Sequence, residues 1–97
     1  MPDYIFLMHR DAPPTEAADW VAYIERLQKA GVFQGGSAIG AGACMNREGG
    51  VPPTTDHLTG YMRVTADDLE HARRLVIGNP AYEAGGTVEI RELPEAG

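Results

Sequence analysis

A chain of 97 residues makes one domain, 1–97, with room for a single core and little for a deep private cavity. Its 43% hydrophobic and 23% charged composition is that of an ordinary globular protein. Eight basic against fourteen acidic residues leave a net charge of −6, which excludes a general nucleic-acid or anionic-membrane surface, since both need excess Lys and Arg.

No apolar run approaches the ~20 residues of a membrane span. Met1-Pro2-Asp3 lacks the basic region of a secretion signal. Cys44 is the single cysteine, so no internal disulfide can form, and a reducing cytoplasm is the expected compartment. Only residues 95–97 read as a disordered tail.

Tyr4-Ile5-Phe6-Leu7-Met8-His9 is a continuous apolar run rich in β-formers, halted by Arg10-Asp11 and Pro13-Pro14. Both of its faces are apolar, so it predicts a central strand. Residues 16–30 predict an amphipathic helix: Thr15 as N-cap, Glu16 and Asp19 in the first turn, and Ala17, Trp20, Val21, Ile24 and Leu27 at helical spacing. Gly31 supplies the stop. A second strand runs from Val32 to about Ile39. Six glycines lie between Gly35 and Gly50, and the chain passes through an irregular excursion to Pro52-Pro53. That stretch reads as a surface hairpin or as a loop covering a pocket mouth.

His57-Leu58-Thr59-Gly60-Tyr61-Met62-Arg63-Val64 alternates as a third strand. Leu58, Met62 and Val64 share one face, and His57, Thr59, Tyr61 and Arg63 the other. Thr65-Ala66-Asp67-Asp68 has capping-box spacing, and Leu69, Ala72, Leu75 and Val76 form the stripe of a second helix ended by Gly78 and Pro80. The last strand lies within Gly86 to Leu93, with Val88 and Ile90 on one side and Thr87, Glu89 and Arg91 on the other.

The fold class is therefore α+β, a ferredoxin-like βαββαβ unit with an antiparallel sheet and two helices on one face. The helix-free face is expected to carry Tyr61, Arg63, Glu89 and Arg91, with Tyr4, Phe6 and Met8 at its centre. So apolar a centre calls for a second sheet. A homodimer closing a dimeric α+β barrel meets that need, with a small-molecule pocket at the barrel.

The order of several strings resembles the YCII-related family, including its DGPF-type branch. They are Tyr4-Ile5-Phe6-Leu7-Met8-His9, Leu27-Gln28-Lys29-Ala30-Gly31, Gly35-Gly36 and Leu58-Thr59-Gly60-Tyr61. The last is the run from Asn79-Pro80-Ala81-Tyr82 to Gly85-Gly86-Thr87-Val88-Glu89-Ile90-Arg91. The resemblance spans nearly the whole chain and is weakest over 38–56. It implies the same ferredoxin-like fold and dimeric α+β barrel. It also implies a cavity carrying a His–Asp pair; elimination of chloride from a hydroxylated aromatic is one activity linked to the group, and other members accompany sigma factors. This chain departs from that pattern. Trp20 stands where the helix histidine belongs, and Ser37-Ala38-Ile39-Gly40-Ala41-Gly42 offers no aspartate. Thr55-Asp56-His57-Leu58 lies near the place of the missing Asp-Gly-Pro-Phe string.

The residues with chemical potential are few. His9, at a strand end, suits general acid–base work near neutral pH, or else bonds to a loop carbonyl. Tyr61 can donate a hydrogen bond. Arg63 and Arg91 can hold a carboxylate at two points, with Glu89 as resting partner of Arg63, or they form structural ion pairs. Asp56 and His57 point to opposite faces of a strand and so do not make a pair. Asp67 and His71 have a chelating i, i+4 spacing but no third ligand. Cys44 has no basic neighbour to activate it. Without GxGxxG or GxxxxGK[ST], no cofactor or metal is expected. Two readings stand: a non-catalytic metabolite-binding or scaffolding module, and a cofactor-independent acid/base enzyme acting on a small oxygenated or aromatic acid. In the second, His9 and Tyr61 are catalytic, and Arg63, Glu89 and Arg91 bind substrate.

Overall fold

Seven elements form along the chain in the computed structural model, which describes residues 1–95. They are β1 (Asp3–His9), α1 (Ala17–Lys29), β2 (Phe33–Ala38), β3 (Leu58–Thr65), α2 (Leu69–Val76), α3 (Pro80–Glu83) and β4 (Val88–Leu93). The sheet order is β2-β3-β1-β4 with every neighbouring pair antiparallel, the ferredoxin-like arrangement expected from the pattern. The tail expected at 95–97 falls, beyond Glu95, outside the described residues. No helix among the described residues is long and apolar enough to cross a membrane.

Which way β1 faces is set by its neighbours. Phe6 lies opposite Met62, and Tyr4 opposite Val64. Cross-strand partners share a face, and alternation in β3 turns Met62 and Val64 toward the helices. Tyr4, Phe6 and Met8 are therefore buried in the core with Tyr23, Leu27, Val32, Ala72 and Val76. This corrects the expectation that they line the open face. Ile5, Leu7 and His9, all half-buried, take that place instead.

The helices differ from expectation at their ends. Thr15 does not cap α1; its hydroxyl accepts from Trp20 Nε1 at 2.7 Å, and Glu16 holds the N-cap position without a side-chain bond. The buried stripe is Tyr23 and Leu27, with Trp20 and Ile24 partly buried, while Val21 is 56% exposed. Tyr23 earns its buried place by donating to Leu75 O at 2.7 Å, and burial pushes its phenol up to about 12. At the other end of α1, Val32 N bonds Leu27 O and Gly31 N bonds Gln28 O. This closure needs a left-handed residue between helix and strand, and Gly31 supplies φ 75°. Thr65 belongs to β3, and α2 is capped by Asp68, which accepts from His71 N at 2.8 Å.

Between Gly78 and β4 the chain makes the unexpected one-turn helix α3. Asn79, fully buried, accepts from Ala81 N (3.0 Å) and Tyr82 N (3.3 Å), and Pro80 starts the turn. Asn79→Ala strands one buried and one part-buried amide. It is expected to lower stability by about 1–3 kcal/mol, read by urea denaturation.

Candidate functional site

One cavity of about 480 Å³ opens at the end of β1, lined by α1, the 12–15 segment and the ends of β2 and β3, with residues of both sheet faces at its edge. Trp20 and Ile24 of α1 form one wall, and Ala12 to Thr15 close the top. Phe33, Met8 and Met62 supply further apolar surface. The sheet side of the cavity contains Gly36 and Gly60. A Cβ at Gly36 would stand 2.5 Å from Tyr61 O, so the close approach of β2 and β3 requires glycine there. The absence of side chains at Gly36 and Gly60 leaves bare backbone under the space that the aromatic wall faces.

Polar groups gather at the end of this cavity. His9, Arg10, Thr59 and Tyr61 all border it. A register shift between Met8 and His9 interrupts the β1–β3 ladder there. His9 Nε2 lies 3.0 Å from Glu89 Oε1. An ionised carboxylate only accepts, so in the tautomer that donates from Nε2 to it the lone pair is on Nδ1. His57 meets the ring edge-on, with centroids 4.8 Å apart. Nδ1 has no hydrogen-bond partner among the described residues.

Of the five residues singled out from sequence, three come together. Leu7 is the cross-strand neighbour of both Tyr61 and Glu89, two residues before His9. His9, Tyr61 and Glu89 thus cluster at one end of the sheet. Arg63 and Arg91 flank Ile5, two residues farther along β1, and neither borders the cavity. The expected Arg63–Glu89 pair is not formed. Arg63 bonds Asp3 at 3.1 Å, while Glu89 is taken by His9 and, at 3.8 Å, by Arg91. The physical reason is register: Asp3 and Arg63 lie diagonally across β1 and β3, within reach of a long side chain.

Asp11 was missed from sequence. Its carboxylate accepts from the Thr87 hydroxyl at 2.6 Å and the Thr87 amide at 2.8 Å, tying the end of β1 to the start of β4. A single acidic residue in a proline-bounded turn gave no signal of that partner 76 residues away. The Thr87 hydroxyl, then its amide, hold the Asp11 carboxyl below its usual 3.8. A depressed carboxyl stabilises the folded state above the unfolded value and loses that contribution as pH falls through the folded one. The Thr87 amide resonance is therefore expected to titrate with a midpoint below 3.8. A midpoint at or above that value would contradict the clasp.

The remaining candidates are structural in their contacts. His71 Nδ1 accepts from Asp67 N at 2.9 Å, so that nitrogen is occupied within its own helix entry. Among the described residues no group of three or more His, Cys, Asp or Glu is placed to hold a metal ion. Cys44 is exposed.

A family model described as YCII-related domain matches residues 6–96. No curated protein matches the chain. Among solved structures, 5-chloro-2-hydroxyhydroquinone dehydrochlorinase from Burkholderia phenoliruptrix AC1100, in complex with 2,5-dihydroxybenzoquinone, is similar with a TM-score of 0.52. The match covers 95% of both chains at 19% identity, a likeness of fold.

Proposed function

The chain belongs to the YCII-related family, and from that premise we propose that its cavity takes a small planar compound bearing hydroxyl or carbonyl oxygens, and that the His9–Glu89 pair moves a proton at the oxygenated edge. The observation that carries this reading is the position of His9. It borders an apolar, aromatic-walled cavity of about 480 Å³ while Glu89 holds its Nε2 at 3.0 Å. A ring laid on the Gly36–Gly60 backbone, against Trp20 and Phe33, would bury its faces in apolar surroundings. Its oxygens would then meet the end of the lining that carries His9, Arg10, Thr59 and Tyr61. Glu89 fixes the tautomer, Nδ1 accepts a proton, and the Glu89 carboxylate stabilises the resulting imidazolium. In this scheme Tyr61, which borders the cavity, donates to an oxygen that gains charge. Neither a metal nor an organic cofactor enters this scheme. Arg63 and Arg91, on the open face, belong to the pairing surface in this reading.

A second reading, a binding module without chemistry, draws on one specific observation. Trp20 and the Ser37-Ala38 stretch line the cavity in the places where the family's His–Asp pair is expected. The inner wall is then apolar, and only its end carries titratable groups.

In either reading the molecule pairs with a second copy through the open face of the sheet. Ile5 and Leu7 lie half-buried at its centre, ringed by Tyr61, Arg63, Glu89 and Arg91. That apolar centre with a polar rim is the composition of a pairing surface.

Trp20 is the only tryptophan and stands in the cavity wall, so it reports occupancy directly. Titration with dihydroxybenzenes and hydroxybenzoates is expected to change its fluorescence saturably. Compounds too large for the cavity should have no effect. A flat response to every small hydroxylated ring would defeat both readings of the cavity.

A further inference from the structure

The lining of the cavity beside His9 is one-sided in charge. Among the described residues that line it there is no aspartate or glutamate, and Arg10 is the one arginine or lysine. The chain as a whole has fourteen acidic residues against eight basic ones. Four of the eight have partners: Arg26 donates to Ile77 O, and Arg63, Arg73 and Arg91 pair with Asp3, Glu70 and Glu89. Of Arg10, Lys29, Arg47 and Arg74, only Arg10 borders this cavity. Its guanidinium makes no ion pair with any described residue. The adjacent acid, Asp11, is already engaged, with Oδ1 on the Thr87 amide at 2.8 Å and Oδ2 on the Thr87 hydroxyl at 2.6 Å.

The side chain is unpaired, but its root is fixed. His9 N bonds Thr87 O, Arg10 N bonds His57 O, and the Asp11–Thr87 bonds follow at once. Arg10 is exposed, at the same end of the lining as His9, Thr59 and Tyr61. An exposed guanidinium is hydrated, and a ligand entering beside it displaces part of that water. A carboxylate offsets the loss through two parallel hydrogen bonds, whereas a neutral group of the same shape does not.

Resting on the reading of this cavity as a site for hydroxylated rings, we propose that Arg10 selects a carboxylate, so that the ligand is a hydroxylated aromatic acid. Its carboxylate lies on Arg10 and its hydroxyl faces His9. Because the two residues are consecutive and border one end of the cavity, both substituents share one edge of the ring. The carboxylate-holding role expected of Arg63 and Arg91 falls to Arg10.

Two ring compounds of the same outline, 3-hydroxybenzoate and 3-hydroxybenzamide, differ in charge and test this. Each is titrated into the wild type and into Arg10→Gln, with Trp20 fluorescence as the readout. The wild type is expected to bind the acid about five- to tenfold more tightly than the amide, between the worth of an exposed ion pair and that of a hydrogen bond to a charged group. Arg10→Gln should abolish the preference by weakening the acid alone, and added salt should erode it in the wild type. Equal binding of the two compounds by the wild type, or a preference that survives in Arg10→Gln, would overturn the role of Arg10 and leave the cavity reading standing. Equal weakening of both compounds in Arg10→Gln would make the arginine a structural part of the rim and overturn the selection. No binding of either compound by the wild type would overturn the cavity reading, and the proposal with it.

Discussion

Replacing His9 by alanine is expected to lower turnover of a hydroxylated ring by roughly 10²- to 10⁴-fold, the usual contribution of one positioned acid–base group. Binding, read from Trp20 fluorescence, should change little, because the apolar walls that hold the ring remain. Glu89→Gln should act on the same step more mildly. The amide can still hold the ring but cannot stabilise an imidazolium, so the turnover number falls while the Michaelis constant stays near the wild-type value. Equal loss of binding and turnover in both variants would mean that His9 and Glu89 merely close the cavity. Unchanged turnover in His9→Ala would remove the acid–base reading and leave the binding module.

Phe6→Ala is expected to have the largest effect on the fold. Phe6 is fully buried between β3, β4 and the helices, opposite Met62 and Ile90. Emptying that site costs about 3–5 kcal/mol, a large share of the 5–15 kcal/mol that holds a typical domain together. Leu7→Ala, one residue on, truncates a half-buried side chain on the opposite face. It should leave the folded monomer nearly as stable while weakening self-association. Chemical denaturation of both variants, followed at a fixed protein concentration, separates the two faces. A milder loss from Phe6→Ala than from Leu7→Ala would invert the assignment of β1.

The assignment of β1 shows where sequence reading reached its limit. β3 and β4 alternate apolar and polar residues, so their faces could be read directly. Met62, Val64, Val88 and Ile90 all turn toward the helices as expected. β1 is apolar throughout, and period-two reasoning carries no information when both faces look alike. Only its register against β3 decides, and register is a long-range property. The same holds for the site. His9 was legible as a histidine at a strand end, but its partner Glu89 lies 80 residues away. Alternation puts Glu89 on the open face, but nothing local names His9 as its partner. Alternation to one face pairs Arg63 with Glu89, whereas the diagonal geometry gives it Asp3. The Thr15 cap failed for a related reason: the Trp20 indole claims that hydroxyl, so the first turn of α1 goes without it. The cavity itself comes from a negative feature, side chains absent at Gly36 and Gly60. In the sequence Gly36 reads only as a backbone device, and Gly60 as one position of the third strand.

The central claim concerns what lies in the cavity, and a crystal structure with 2,5-dihydroxybenzoquinone, the compound bound to the similar dehydrochlorinase, tests it most directly. The account predicts ring density between Trp20 and the Gly36–Gly60 backbone, with an oxygen within hydrogen-bond reach of His9 and with Glu89 still on Nε2. Density elsewhere on the protein, with the cavity closed by the side chains of Trp20, Phe33 and Met62, would contradict it.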